Sequence, residues 1–433
     1  MPTPISDVKR GGNPGTPLAL PGAHVQERSE AWWFKDKGCR GLATQCERVA
    51  ARGGEPAVTA ILMDGRYLGP KASGVGRYQR ELVAEMQRLR PQLDFRFIVR
   101  QSGDQQPLKS SCELEFDHGV YGPHTSLMLD RKLSQAGAVD LFHSPFHVLP
   151  RRVDCPAVLT MHDAFNFEQN KTSNYAPPIS WAEWAYFLWA IPESLKRARR
   201  VLCVSETTAQ EMRRLVPQAR DKLRVVPHGV ARCFRALEDR ADFAARCLEL
   251  VGSPEPFLLS VGGVSPNKNH ARMLRAFAAA FPAGSKVRLA VVNRFGDAAP
   301  LRALARKLGV SERYISLGSP SDVDLVKLLN GAAALAFCSI VEGFGLPILE
   351  AMACGCPVLT SNLSCMPEVA GDAALLVDPY DVGEMARGMR RLLVEPGLSA
   401  ELSARGVEHA QGFTWERAAH DTLEVYDECL KSA

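Results

Sequence analysis

Short apolar runs rich in β-branched residues alternate with helical stretches along most of this sequence, and that alternation constrains the fold more than any other feature. Strands separated by helices pair in parallel through right-handed crossovers, so the pattern predicts an α/β architecture. The first series of predicted strands comprises "AVTAILMD", "DFRFIVR", "VDLFHSP", "PAVLTMHD" and "RVLCVSE".

The alternation is interrupted near residues 232–255, which predict one helix and a proline-bearing linker, and it then begins again. The second series comprises "FLLSVGG", "VRLAVVN", "YISLGS", "ALAFCS", "PVLTSN" and "AALLVD". A chain of 433 residues exceeds the size at which one hydrophobic core keeps growing. We therefore expect two Rossmann-like, doubly wound parallel-sheet domains that face each other across a crevice, with ligands at the carboxyl ends of the strands.

The boundaries of these domains follow from the two series. Residues 1–56 are rich in glycine, proline and charge without a sustained hydrophobic period, so we expect a poorly ordered extension. The first domain is expected to span residues 57–235 and the second residues 256–412, joined by a linker at residues 236–255.

Composition excludes several classes of protein. A net charge of +4, without basic runs interleaved with aromatic residues, argues against a nucleic-acid partner. The twelve cysteines show no metal-ligand or redox spacing, and Cys354 and Cys356 are the only close pair. "SDVD" at residues 321–324 fits a helix-capping box better than a metal site. Without a long apolar run or a signal-peptide pattern, we expect a cytoplasmic protein with reduced thiols.

The stretch "SIVEGFGLPILEAMACGCPVLTSN", residues 339–362, predicts a buried strand, a glycine turn and a helix. Pro347 is expected at the first helical position and Gly355 just past the helix end. The first amides of a helix lack internal partners, so they favour an anion, for which a diphosphate fits better than a carboxylate. The residues that offer these amides are Gly343, Phe344, Gly345 and Leu346.

Two glutamates flank this turn. Glu350, expected in the first helical turn, could accept hydrogen bonds from a ribose 2′,3′-diol, and Glu342 would lie beyond the phosphates, where a sugar would sit. The alternative for Glu350 is an acid that only complements the helix dipole, worth about 0.3 to 1 kcal/mol.

An upstream segment, "SVGGVSPNKNH" at residues 260–270, again predicts a strand, a glycine turn and a helix start. Gly262 and Gly263 form the turn, and Lys268 could reach the same phosphates and stabilise the charge of a departing diphosphate. The segment is not a P-loop, because the order GxxxxGK[ST] is absent. A merely solvated lysine is the alternative.

In the first domain, "SGVGRYQ" lacks the third glycine of the dinucleotide-binding fingerprint. We expect Gly74, Gly76 and Arg77 to form a loop that closes over the diphosphate or lines an acceptor site. His162 and Asp163 end a predicted strand, where either could hydrogen-bond a sugar; a histidine with only structural partners is the alternative.

The segment "WAEWAYFLWAIPESLKRARR", residues 181–200, places aromatic residues before a basic cluster. An interfacial helix has this pattern, and so does a helix packed on its own domain, which we favour. Peripheral contact with the inner face of the membrane therefore remains open.

From about residue 57 onward, the chain resembles the retaining glycosyltransferases of family 4, which have the GT-B architecture of two facing Rossmann-like domains. The resemblance lies in Glu342 and Glu350, which have seven residues between them, and in "EGFGLPILEAMACGCPVLTSN", "MPEVAGDAALLVDP" and "FTWERAAHDTLEVYDECL". The chain looks most like bacterial mannosyl- and rhamnosyltransferases of polysaccharide biosynthesis.

The resemblance implies metal-independent transfer of a hexose from a nucleotide-diphosphate sugar, with GDP-mannose the first choice, to a saccharide or lipid-linked acceptor. It assigns Glu350 to the ribose, Glu342 to the sugar hydroxyls and the amides around Gly345 to the distal phosphate. Lys268 would contact the diphosphate, and His162 the donor sugar or the acceptor. The last helix, residues 413–433, would pack back on the first domain.

The sequence departs from the family at Gly263, where many members carry an arginine or another polar residue. Arg77 and Arg294 are candidate substitutes for it. Two other functions stay open at this point: a nucleotide-sugar epimerase or hydrolase of similar fold, and a non-catalytic nucleotide-sugar binding protein.

Overall fold

The computed structural model describes residues 59–69, 74–101, 108–120, 123–163, 181–293 and 298–431. The expected extension at residues 1–56 and Arg294 lie outside the described residues. Within the described residues, the strands form two sheets of seven and six, and every pairing is parallel. The predicted pair of doubly wound α/β domains is thereby confirmed.

The first domain is built on a seven-stranded sheet with the order β3-β2-β1-β4-β5-β6-β7. Its strands are β1 Ala60–Asp64, β2 Asp94–Val99, β3 Cys112–Glu115, β4 Leu141–Ser144, β5 Ala157–Met161, β6 Arg200–Cys203 and β7 Leu223–Val225. Its helices are α1 Gly74–Leu89, α2 Pro123–Leu127, α3 Leu129–Leu133, α4 Trp181–Arg197 and α5 Glu206–Leu215. Two hydrophobic clusters cover its faces, which explains why β1 and β5 are apolar at nearly every position.

The second domain has a six-stranded sheet with the order β10-β9-β8-β11-β12-β13. Its strands are β8 Phe257–Val261, β9 Arg288–Val292, β10 Tyr314–Gly318, β11 Ala334–Phe337, β12 Val358–Ser361 and β13 Leu375–Val377. The helices that follow β7 are α6 Arg240–Val251, α7 His270–Ala280, α8 Ala299–Lys307, α9 Asp322–Gly331, α10 Leu346–Ala353, α11 Met366–Ala370, α12 Val382–Val394, α13 Leu398–Ala410 and α14 Trp415–Lys431.

The expected linker at residues 236–255 contains helix α6, which buries Cys247 and Val251 in the core of the second domain. The helix runs from its Asp239 cap to Gly252, whose backbone is left-handed. Most of this segment is therefore helical, with one side packed on the second domain. The domain boundaries themselves remain predictions.

Helix α14 returns from the second domain to the first, as the resemblance implied. Its buried residues, Trp415 and Tyr426 among them, share one hydrophobic cluster with β1 and α1. The Tyr426 hydroxyl lies 2.6 Å from Nδ1 of His143 in β4. Any side chain at Gly229 would collide with the start of this helix, because a Cβ there would lie 2.1 Å from the Trp415 nitrogen.

Helix α4 packs on its own domain through Phe187, Ala190 and Ile191, while Leu188 and Trp189 are exposed. Of the helices that the structure describes, none combines the length and the apolar character needed to cross a bilayer. Peripheral membrane contact stays a prediction.

Candidate functional site

The site lies where the strand order of the second sheet reverses, between β8 and β11. A crevice forms at such a switch point because the connections leave in opposite directions. The loops that follow these two strands are tied together there. The Ile340 amide donates to the Asn267 carbonyl at 2.8 Å, and the Asn269 side-chain amide donates to the Cys338 carbonyl at 3.0 Å.

Lys268 and Glu342 form an ion pair in this crevice, with 2.6 Å between Nζ and Oε1. Lys268 ends a short 3-10 turn, Pro266–Lys268, and its side chain is 22% exposed, so it is not the freely solvated lysine of the alternative interpretation. Gly262 makes room for it, because a Cβ at residue 262 would lie 3.1 Å from the Lys268 Cδ. The neighbouring Gly263 carbonyl accepts a hydrogen bond from His270 Nε2 at 3.2 Å.

The glycine turn before α10 ends at Gly345, whose φ of 95° places it in the left-handed region that glycine tolerates best. Because Gly345 ends the loop, Leu346 is the first helical residue and Pro347 the second, one position later than expected. Glu350 is consequently the fifth helical residue and lies in the second turn, so its expected place in the first turn is wrong. The alternative interpretation, in which Glu350 only complements the helix dipole from the first turn, is therefore also wrong.

The other glycine of the turn, Gly343, lies against the first domain. A Cβ there would lie 1.4 Å from the His162 carbonyl oxygen. The Gly343 carbonyl accepts hydrogen bonds from Ser205 Oγ at 2.8 Å and Thr208 Oγ1 at 3.3 Å. The backbone of Gly343 is therefore in close contact with the first domain.

Gly74 and Gly76 do not form the expected loop, because α1 begins at Gly74 and contains both. Arg77 completes the first turn of this helix and reaches across the crevice. Its guanidinium forms ion pairs with Glu350 and with Asp322 of the second domain. Arg77 thus contacts the nucleotide-binding glutamate of the sequence prediction.

His162 directly follows β5, at the edge of the crevice. Its Nε2 lies 2.9 Å from the Pro145 carbonyl, and its ring packs edge-on against Tyr78 with 4.8 Å between centroids. Burial lowers the pKa of His162 to about 4, so the imidazole is neutral at pH 7. Asp163 follows it, half-buried, beside Gly343.

Phe344 and Leu346 carry the turn into the contact between the domains. The Phe344 ring lies 4.8 Å from that of His228, which in turn packs against Tyr78 and Trp415. Leu346 packs against the cores of both domains. No local pattern singles out His228, since only the tertiary structure gives it these neighbours.

Glu368 was also not predicted. Its carboxylate accepts hydrogen bonds from the amides of Glu206 and Thr207, at 2.6 and 2.9 Å, and so caps helix α5 from the opposite domain. Glu368 lies in the segment "MPEVAGDAALLVDP", which carries part of the family resemblance, but nothing in this segment indicates a contact with α5. The capping of α9 by Ser321, which accepts from the Asp324 amide, is confirmed.

The buried histidines around His162 make the stability of the fold sensitive to acid. Burial lowers the pKa of His143 and of His147 to about 3 and that of His162 to about 4. These groups are neutral in the folded protein but gain a proton near pH 6.5 when unfolded. Their contribution to the free energy of unfolding is complete above pH 6.5. It decreases as the pH falls toward 4, by at most about 1.4 kcal/mol per pH unit for each histidine.

We expect the free energy of unfolding, measured by urea titration, to decrease steadily between pH 6.5 and 5. His147→Gln should reduce that slope, because one titrating group is removed while an acceptor for the His162 amide remains. The exposed Gln218 provides the control, since Gln218→Ala removes no titrating group and should leave the slope unchanged. A flat profile in this range would contradict the assignment of neutral buried histidines.

Comparison with known proteins agrees with this architecture. The family model described as glycosyltransferase family 4 matches residues 72–232, and the model described as glycosyl transferases group 1 matches residues 249–410. The chain is 32% identical over 294 residues to O-antigen chain mannosyltransferase B of Escherichia coli, covering 66% of this chain and 74% of that protein.

Two solved structures share the fold. Sucrose-phosphate synthase from Thermosynechococcus elongatus superposes with a TM-score of 0.70 at 21% identity, over 87% of this chain and 100% of that one. The HepE protein of Anabaena, in complex with UDP and glucose, gives a TM-score of 0.67 at 17% identity, over 86% and 100% of the two chains. Taken together, the two matched halves, the mannosyltransferase relative and the facing α/β domains show that the chain belongs to the family 4 glycosyltransferases of the GT-B fold.

Proposed function

We propose that this protein transfers a hexose, most favourably mannose, from a nucleotide-diphosphate sugar to a hydroxyl of a saccharide or lipid-linked acceptor in polysaccharide biosynthesis. The observation that carries this proposal is the Lys268–Glu342 pair, held at the switch point beside the N-terminus of α10. Mannose is favoured by the O-antigen mannosyltransferase relative. A uridine diphosphate in a protein of the same fold supports a nucleotide-diphosphate donor, and GDP-mannose is our first choice.

In this proposal, the ribose diol binds the Glu350 carboxylate, and the diphosphate lies at the amides around Gly345. Those amides carry the positive end of the helix dipole toward the phosphates. The Lys268 ammonium adds a full positive charge beside them. Glu342, paired with Lys268, then faces the sugar hydroxyls.

Transfer proceeds with retention and without a metal ion. The acceptor hydroxyl attacks the anomeric carbon from the face that the diphosphate leaves, and a phosphate oxygen takes the acceptor proton. Lys268 and the backbone amides stabilise the negative charge that grows on the diphosphate. His162 is neutral at pH 7, so it orients a hydroxyl through a hydrogen bond and supplies no charge. The reaction would take place in the cytoplasm, at the inner face of the membrane when the acceptor is a lipid.

A nucleotide-sugar panel tests the donor site. Unfolding temperatures should rise with one of the GDP-, UDP- or dTDP-sugars, because a ligand at a hundred times its dissociation constant stabilises by about 2.7 kcal/mol. Donor turnover should require an acceptor. Turnover that is equally fast without one would favour an epimerase or hydrolase instead.

Glu350→Gln is expected to weaken donor binding by about tenfold or more, since hydrogen bonds to a charged group are lost. The rate of the bound complex should change less, because Glu350 contacts the ribose and not the reacting carbon. Isothermal titration gives the first quantity and single-turnover kinetics the second. The exposed Glu401→Gln on α13 is the control, and unchanged donor affinity in Glu350→Gln would remove Glu350 from the ribose site.

A further inference from the structure

Arg77 reaches from the first domain into the proposed nucleotide site. It extends from the first turn of α1, and only 14% of its side chain is exposed. Its Nη1 pairs with Glu350 and its Nη2 with Asp322, so one guanidinium bridges two carboxylates of the opposite domain. The ring of Phe234 lies 5.4 Å below the guanidinium carbon and limits the directions in which it can move.

The two carboxylates differ in burial. The Glu350 side chain is 6% exposed, whereas that of Asp322 is 52% exposed. A buried carboxylate depends strongly on its cation, because water cannot replace the lost partner. The Asp322 contact is largely screened by solvent and contributes little by itself. Glu350 is therefore the partner that matters for the energy of this bridge.

A ribose diol that binds Glu350 through both carboxylate oxygens has to compete with Arg77 for one of them, Oε1. Two neutral hydroxyls are a poor substitute for a guanidinium, and the displaced cation would be left partly buried. A phosphorylated ligand removes this difficulty, because its phosphates offer a new anion within the same crevice. Arginine is well suited to the exchange, since its planar fork binds phosphate and carboxylate in the same bidentate way.

We propose that Arg77 makes the nucleotide site selective for phosphorylated ligands: it occupies Glu350 in the empty protein and moves to the diphosphate when the ribose takes its place. This inference rests on the proposed donor site. Arg77 is then a specificity-determining residue that excludes free nucleosides. Because Arg77 belongs to the first domain, a nucleotide bound to the second domain would also contact the first.

The inference predicts that one substitution at Arg77 raises the affinity for a nucleoside and lowers the affinity for a nucleoside diphosphate. In Arg77→Met, the nucleoside no longer competes with a cation, so its affinity should rise by about threefold to tenfold. The nucleoside diphosphate loses a charged phosphate contact, so its affinity should fall by about tenfold. The preference for diphosphate over nucleoside should thus shrink by well over tenfold.

The experiment is isothermal titration of wild type and Arg77→Met with guanosine and GDP, and with uridine and UDP. Arg88→Met is the matched control, because Arg88 lies on the same helix and pairs only at the surface, with Glu85 and Glu416. Its preference for diphosphate should equal that of wild type. Equal changes for nucleoside and diphosphate in Arg77→Met would overturn the inference while leaving the donor site intact.

Two further outcomes keep the test decisive. If Arg77→Met does not fold, Arg77→Lys replaces it, because a lysine keeps the charge but cannot bridge two carboxylates. Its preference for diphosphate over nucleoside should lie between that of wild type and that of a nonselective site. An unchanged preference for diphosphate would contradict the inference. If wild type binds none of the four ligands, the proposed donor site fails, and the inference fails with it.

Discussion

Gly343→Ala is expected to lower turnover by at least about a hundredfold, because displacement of reacting groups by about 1 Å costs that much. The new Cβ would lie 1.4 Å from the His162 carbonyl oxygen, so the turn and the first domain cannot keep their present contact. The contact is between the Cβ of residue 343, which is fixed by the backbone, and the backbone oxygen of His162. A change of side-chain rotamer therefore cannot relieve the clash. The domains must separate, and the turn at which we propose that the diphosphate binds loses its alignment with His162.

The measurement is the steady-state turnover rate at saturating donor, together with small-angle scattering, which should report a larger radius of gyration for the variant. Gly69→Ala is the control, because a Cβ there would have no neighbour within 4 Å. Circular dichroism should show unchanged secondary structure in both variants. Turnover at the wild-type rate in Gly343→Ala would show that the contact between the turn and His162 is dispensable.

Lys268→Ala is expected to lower turnover by about 10² to 10³, the range for losing one preorganised donor that stabilises developing charge. The effect should appear at saturating donor, since in the proposed mechanism the diphosphate carries more negative charge in the transition state than in the bound donor. The variant also leaves the mostly buried Glu342 carboxylate without its 2.6 Å ion pair, which should weaken placement of the sugar.

Lys268→Arg separates these two effects, because it keeps the cation and should retain more activity than Lys268→Ala. Lys286→Ala is the surface control, since Lys286 is 77% exposed and pairs with Glu255 away from the turn. Unchanged turnover in Lys268→Ala would remove Lys268 from the mechanism.

Much of the second domain could be predicted locally. Strand, glycine turn and helix follow one another within about twenty residues at β11 and α10, and the seven residues between Glu342 and Glu350 can be counted in the sequence. Errors of one residue, such as the position of Pro347, arise because the left-handed Gly345 ends the loop, and no periodicity reveals a single backbone torsion. The expected loop at Gly74 and Gly76 is wrong because glycine is common in turns and helix starts alike.

By itself, the sequence determined the two α/β domains, the family and the places of Lys268 and Glu342 on the loops after β8 and β11, because hydrophobic period, caps and turns are encoded over short distances. Only the tertiary structure decided which of these residues meet. Lys268 pairs with Glu342 from 74 positions away, and Arg77 with Glu350 from 273. Such contacts depend on strand order and on how α14 joins the domains, so they follow from the packing of the whole chain rather than from any segment of it.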